Sequence, residues 1–413
     1  QCRSPISILS NMRFDRELGP RLLGLAAHFP VVLLTGARQT GKTTLLRQTF
    51  PNHHYVTLDL PSDAAAAESS PDTFFGQHAP PVLVDEVQYA PGLFRHIKAQ
   101  VDAARHETGR FLLTGSQKFP LMKEVSDSLA GRCAWLELEG LSAHELGTAA
   151  PPARERLLSV LARGQLPELW RDPQLPHTDF QRAYLATYVE RDVRQLLNVG
   201  SLRDFERFMR LCATYNGQLL NKTEIARGVG VSSKTIDQWL SVRQASSQIA
   251  LLEPYYANLG KRVVKSPKLY FCDTGLLCFL LGLDEASLAR SALLGAVWEA
   301  FIYAELRKAI AARAPAHQLW FYRDQQGREV DFMLQGAGGF ICIECKWAEL
   351  PEIGDARWLR ELARLLEDAR PAPQFVRRVL AARPAGTFPL PDGTQVMHGA
   401  ELADQLLHPH PRA

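Results

Sequence analysis

The chain has 413 residues, 46% hydrophobic and 22% charged, with a formal net charge of +3. That length predicts roughly two to four domains, and the composition is that of a globular chain rather than a fibrous or disordered one. A charge so near balance gives no global field toward nucleic acid, so such a partner must be held by local basic patches. No run approaches the roughly 18 apolar residues that span a bilayer, and no membrane partner is expected. The most apolar stretch, "LYFCDTGLLCFLLGL", is interrupted by Asp273 and Gly275. Seven scattered cysteines, an odd number, predict reduced thiols and a cytoplasmic location. The first residues lack the order of a secretory signal. Residues 1–11 read as a leader ahead of Met12.

"VVLLT" (31–35) reads as a fully buried strand that runs into "GARQTGKTT". Gly36 to Thr43 fits G-x-x-x-x-G-K-[ST], a loop whose backbone N–H groups turn toward phosphate oxygens. The loop residues Gly36, Ala37, Arg38, Gln39, Thr40, Gly41, Lys42, Thr43 and Thr44 are therefore the expected ATP-binding set. Lys42 reaches for the β- and γ-phosphates, Thr43 offers its hydroxyl to Mg2+, and the following helix turns its positive end to the phosphates. "PPVLVDEVQ" (80–88) is a second buried strand, ending in Asp85 and Glu86. Asp85 completes the Mg2+ shell and Glu86 polarises the attacking water.

"GRFLLTGSQ" (109–117) is a third strand. Thr114, Ser116 and Gln117 are its γ-phosphate-sensing candidates, with Ser116 and Gln117 preferred because they stand beyond the strand end; a plain Gly-Ser turn is the alternative. Arg132, in "SLAGRCAWLELEG", fits an arginine finger toward a neighbouring subunit, and equally a surface cation.

"LLTGARQTGKTTL", "VLVDEVQ", "FLLTGSQ", "SLAGR" and "GQLPE" (164–168), in that order, resemble a prokaryotic AAA-type ATPase family whose members carry a C-terminal domain of unknown function. The resemblance implies ATP binding and hydrolysis, a helical lid after the core, and a homo-oligomer. Helical spacing in "DFQRAYLATYVERDVRQLL" fits the lid, with Arg191 open to a salt-bridge or a nucleotide-sensing role.

"TEIARGVG" and "KTIDQWL" form a helix-turn-helix pattern, with Ser232 or Ser233 capping the second helix and Ile236, Trp239 and Leu240 on one face. A strand-like "IALLEPYY" and a run with four cations and no acid follow: Lys261, Arg262, Lys265 and Lys268. That is what a winged hairpin touching DNA phosphates would carry, and Lys234, Lys261, Arg262 and Lys265 are the expected DNA contacts. A purely packing role for the module is the alternative.

The last third reads as a long helix, three strands ("HQLWFYRD", "GREVDFML", "GFICIECKWAEL"), a helix near 355–369 and a strand near "QFVRRVLAA". This order resembles the core of PD-(D/E)XK nucleases, with Glu299, Asp331, Glu344 and Lys346 matching the motif positions in order. Asp331 and Glu344, with Glu299, are the expected ligands of Mg2+ or Mn2+, and Lys346 the catalytic cation. A salt-bridged sheet edge and a degenerate, binding-only nuclease fold are the alternatives. Cys342 and Cys345 form a C-x-x-C on the same expected strand; residues three apart there face opposite sides, which favours packing over a metal or redox pair.

The expected architecture is thus an α/β chain: a P-loop AAA-type ATPase core (12–145), a helical lid (146–205), a winged-helix module (206–285) and a C-terminal nuclease-like α/β domain (286–413). The expected function is that of an ATP-hydrolysing, DNA-processing protein with catalytic Lys42, Glu86 and Lys346. The rivals are a nuclease-dead ATP switch that binds a protein partner, and a translocase that does not cut.

Overall fold

The structure, a computed structural model, describes residues 14–149, 153–188, 202–256 and 264–407. The expected leader, Arg191, Lys261 and Arg262 lie outside the described residues. The chain divides into two compact units, one formed by Asp15–Gly140 with Ala245–Ser247, the other by Phe14 and the described residues in the rest of the chain.

The first unit is a five-stranded sheet built from β1 (Val31–Thr35), β2 (His54–Thr57), β3 (Val82–Asp85), β4 (Phe111–Gly115) and β5 (Cys133–Glu137). Its order is β2-β3-β4-β1-β5, and every pairing is parallel. Parallel strands are covered on both faces, which is why β1 is an unbroken apolar run, buried along its whole length. One face packs Val31, Leu33, Val84, Phe111 and Leu113 against Leu93, Phe94, Ile97 and Val101 of the helix Leu93–Ala103. Because the strands are parallel, the residues after β1, at the end of β3 and at the end of β4 gather at one edge of the sheet. Open α/β sheets bind ligands at such an edge.

After the helix Ala143–Ala149, the second unit continues with the helices Leu157–Arg163, Pro167–Arg171 and His177–Tyr188. The glycine of "GQLPE" has a physical reason. Gly164 has φ +84, and a Cβ there would meet Asp273 Oδ1 at 2.5 Å and the Gly275 Cα at 2.8 Å. Next, Gln165 donates to Glu305 Oε1 at 2.7 Å and accepts from Lys308 Nζ at 2.7 Å, in a buried polar network that reaches the helix Leu294–Arg313.

After the helix Leu202–Thr214 come two short helices, Lys222–Val229 and Ser233–Ala245, then an antiparallel pair of β6 (Ile249–Leu252) and β7 (Lys268–Phe271). Gly230 closes the first short helix. The Ser232 hydroxyl accepts from the Thr235 N–H at 3.1 Å, which makes Ser232 the cap of the second. Ile236, Trp239 and Leu240 are all buried.

A six-stranded sheet completes the unit: β8 (Gln318–Arg323), β9 (Glu329–Gly336), β10 (Gly339–Cys345), β11 (Phe375–Ala382), β12 (Phe388–Pro389) and β13 (Gln395–His398), in the order β12-β13-β11-β10-β9-β8. β8, β9 and β10 are antiparallel neighbours, whereas β10–β11 is parallel and is bridged by the helix Arg357–Glu367. Alternation along β10 sends Ile341 and Ile343 into one core and Phe340 and Cys342 into another. Leu359, Leu362 and Leu366 cover the second core and Val297, Phe301 and Ile302 the first.

β12, β13 and the closing helix Gly399–Leu407 extend beyond the elements expected from the sequence. The expected boundaries at 145/146, 205/206 and 285/286 fall inside the helices Ala143–Ala149, Leu202–Thr214 and Glu285–Leu288.

Candidate functional site

The phosphate loop leaves β1 at Gly36, whose φ is +144 and where a Cβ would lie 2.1 Å from the Leu138 carbonyl oxygen. Only glycine fits between the loop and the chain beyond β5. Thr40 is buried, Ala37, Arg38 and Thr43 are half-buried, and Gln39 and Thr44 are exposed. Gly41 caps the helix Lys42–Thr49. The Lys42 ammonium is 6% exposed and donates to the carbonyls of Gly36 at 3.1 Å and Ala37 at 2.9 Å, so it lies across the mouth of the loop. Arg16 braces the loop from outside: one guanidinium nitrogen donates to the Thr40 carbonyl at 2.7 Å and another to the Glu139 carbonyl at 2.7 Å. Sequence reasoning missed Arg16, because nothing in "MRFDRELGP" distinguishes a brace from a surface cation.

β3 delivers Asp85 to the same place. The Thr43 hydroxyl lies 3.0 and 2.8 Å from its two carboxylate oxygens, Tyr55 donates to it at 3.2 Å, and the Thr114 hydroxyl donates to it as well. A hydroxyl beside a buried carboxylate, next to a lysine on a glycine loop, is a donor set that suits Mg2+ carried by a nucleotide triphosphate. Once bound, Mg2+·ATP supplies the phosphoanhydride and a Lewis acid. The residues that would face it are the loop N–H groups, Lys42, Thr43, Asp85 and Glu86.

Glu86 leaves the strand in a left-handed conformation, φ 56 and ψ 44, which turns its side chain away from that of Asp85. Its carboxylate accepts from Ser116 at 3.3 Å and from the Gln88 amide, and its own N–H donates to the Thr114 hydroxyl at 3.3 Å. β4 lies between β3 and β1, so Thr114 touches Asp85 while Ser116 touches Glu86. Gln117 is buried at the start of the helix Lys118–Ser128. The Arg132 guanidinium pairs with Asp102 at 2.7 Å, and that guanidinium holds the Asp102 carboxyl below its ordinary range.

In the second unit Lys234 and Lys265 are both exposed, as are Lys222 and Arg227 on the preceding helix. Lys222 pairs with Asp237 at 2.6 Å. Lys268 departs from the expected basic wing. Its side chain is 1% exposed, and its Nζ lies 2.9 Å from Glu299, 2.5 Å from Glu329 and 3.7 Å from Asp331. It is a buried counter-ion and is not available to a phosphate.

That lysine sits among the residues matched to the nuclease motif. Glu299, on the helix Leu294–Arg313, also accepts from the Tyr270 hydroxyl at 2.5 Å. Asp331, on β9, accepts from the Cys345 N–H at 2.8 Å. Glu344, at the end of β10, pairs with Lys346 at 3.0 Å. Burial, then Asp331, push Glu299 up to about 7 and Glu344 up to about 8. Burial also raises Asp331, against the pull of Lys268. For Lys268 burial works downward, but Glu299, Asp331 and Glu329 outweigh it and hold the ammonium above its ordinary value. The sequence signal for Glu329 was weak, since it stands two residues before Asp331 on the same strand.

The parallel sheet with its glycine loop, Lys42, Thr43 and Asp85 at one edge defines a P-loop ATPase of the AAA type. Residues 28–147 match the model of an AAA domain, residues 154–287 that of a domain of unknown function (DUF8612), and residues 294–396 that of another (DUF4143). The chain belongs to the family of the Uncharacterized protein Rv2008c of Mycobacterium tuberculosis, to which it is 33% identical over 407 residues, 98% of this chain and 87% of that protein. The Uncharacterized protein Mb2031c of Mycobacterium bovis matches with the same identity and coverage. Among solved structures, the Walker-type ATPase paby2304 of Pyrococcus abyssi is similar with a TM-score of 0.44 at 15% identity, over 65% of this chain and 96% of that one. The RuvB Holliday junction branch migration motor of Thermotoga maritima gives a TM-score of 0.28 at 16% identity, over 57% and 89%. Among the described residues no helix is long and apolar enough to cross a membrane.

Proposed function

We propose that this ATPase acts on DNA: ATP binding at Lys42, Thr43 and Asp85 orders its modules or subunits, and hydrolysis through water held by Glu86 resets them. The observation that carries the ATP half is the Thr43–Asp85 contact beside Lys42. The DNA half is supported by the helix pair Lys222–Val229 and Ser233–Ala245 followed by the β6–β7 hairpin, the element order of a winged helix. Exposed Lys234 and Lys265, with Lys261 and Arg262 of the basic run, are the proposed phosphate contacts. A homo-oligomer and a cytoplasmic location belong to the same reading, in which Arg132 exchanges Asp102 for a neighbour's nucleotide.

The C-terminal sheet is read as nuclease-like because the helix, the three strands and the parallel fourth strand occur in that order, with Glu344 and Lys346 paired at the end of β10. A specific observation favours the reading in which this domain binds without cutting: the Lys268 ammonium lies among its acids. Fluorescence anisotropy of labelled single-stranded, duplex and branched DNA with the Glu86→Gln protein and ATP tests the proposal. ATP-dependent binding to any of them supports it, and no binding to all of them refutes it.

A further inference from the structure

We propose that Lys268 holds the cation position of the C-terminal carboxylate cluster, so that the domain works without a divalent metal. The donor set does not fit an ion. Oxygen ligands of Mg2+ or Mn2+ must converge on one point at about 2.0–2.2 Å. Here the point facing Glu299, Glu329 and Asp331 is taken by the Lys268 Nζ. Three ammonium N–H groups have carboxylate oxygens around them on three sides, and the side chain is 1% exposed.

Several of the remaining contacts commit these carboxylates elsewhere. Glu299 Oε1 also takes the Tyr270 hydroxyl, Glu329 Oε2 takes Arg323 at 2.7 Å, Asp331 Oδ2 takes the Cys345 N–H and Glu344 Oε1 takes Lys346. Glu344 Oε2 is buried without a hydrogen-bond partner, a single oxygen where an ion needs several.

Charge points the same way. Glu299, Glu329, Asp331 and Glu344 already face Lys268, Arg323 and Lys346. A divalent ion would reverse the sign of the cluster. One that took the place of Lys268 would instead have to expel a buried ammonium. Lys268 is the first residue of β7, so the cation comes from the hairpin rather than from the nuclease-like fold itself. In the same contacts it ties that hairpin to β9 and to the helix Leu294–Arg313. This inference goes beyond the proposed function and does not need DNA to be the partner.

The test is Mn2+ binding to the full chain without nucleotide, read by the electron paramagnetic resonance of free Mn2+, alongside thermal unfolding. Wild-type protein and Asp331→Asn should take up the same amount of Mn2+. Lys268→Ala should melt lower than wild type and regain stability when Mn2+ is added, because the opened cluster then accepts the ion. Lys268→Arg should stay near the wild-type midpoint and ignore Mn2+. A Mn2+ site in wild type that Asp331→Asn abolishes would overturn the proposal, whether or not Lys268→Ala folds. So would a Lys268→Ala protein with the wild-type midpoint in the absence of metal.

Discussion

The Thr43 hydroxyl lies 2.8 Å from Asp85 Oδ2, although Thr43 stands in the helix Lys42–Thr49 and Asp85 at the end of β3. The contact holds the two proposed magnesium partners side by side ahead of any nucleotide, so binding would not have to order them. Glu86, the residue after Asp85, accepts from Ser116 instead, so the two adjacent carboxylates have different partners, as separate proposed roles require.

Separate roles predict separate losses. Lys42→Ala should abolish ATP binding, measured by a fluorescent ATP analogue. Glu86→Gln should bind ATP as wild type does and lose turnover by about 100-fold or more, the usual scale for a missing general base. Equal turnover in Glu86→Gln and wild type would remove Glu86 from the water-activating role.

Gly36→Ala places a Cβ against the Leu138 carbonyl at a φ of +144. Strain at such a position costs on the order of 1–3 kcal/mol. The unfolding midpoint should fall, and ATP affinity with it, because the loop must move away from β5 to relieve the contact. Wild-type values for both would mean that the loop has room which the backbone geometry denies it.

How much of this was legible in the sequence depends on how local each signal was. The loop and Lys42 sit in one window between a strand and a helix, and β1 lies at the expected residues. Asp85 was legible because an apolar strand ends on it. Thr114 was passed over for Ser116, since strand position alone does not tell which hydroxyl meets Asp85. Lys268 was grouped with a basic wing because its neighbours in sequence are cations. Its partners Glu299, Glu329 and Asp331 come from a helix and a strand far along the chain, and only tertiary packing makes it a buried ion. β12 has two residues and lies among prolines and glycines, too short for any periodicity to show.

The basic run offers a different kind of check. Replacing Lys261, Arg262 and Lys265 together by alanine should weaken DNA binding and reduce the slope of log affinity against log salt by about 3, one for each lost phosphate contact. DNA-free ATP turnover should stay unchanged. An unaltered affinity and slope would assign the helix pair and hairpin to protein packing.

The carboxyls of the C-terminal cluster predict a pH dependence. Burial, then Asp331, raise Glu344 from 4.5 to about 8, and burial, then Asp331, raise Glu299 to about 7. A carboxyl raised on folding stabilises the fold fully below its unfolded value and loses that contribution as pH climbs through the folded one. The unfolding midpoint should therefore decline from about pH 5 to about pH 8, and Glu344→Gln should flatten the decline. A midpoint that stays flat over that range would mean that the cluster is already fully ionised and paired.

The central claim is that one ATP site serves a DNA-directed machine, and steady-state ATP turnover with and without DNA tests it most directly. Wild-type protein with Mg2+ should hydrolyse ATP faster when duplex or branched DNA is added, and the Lys261, Arg262, Lys265 triple alanine variant should lose the acceleration while keeping the basal rate. Turnover that no DNA alters, in a wild-type protein that binds and hydrolyses ATP, would contradict the account and leave an ATPase switch for some other partner.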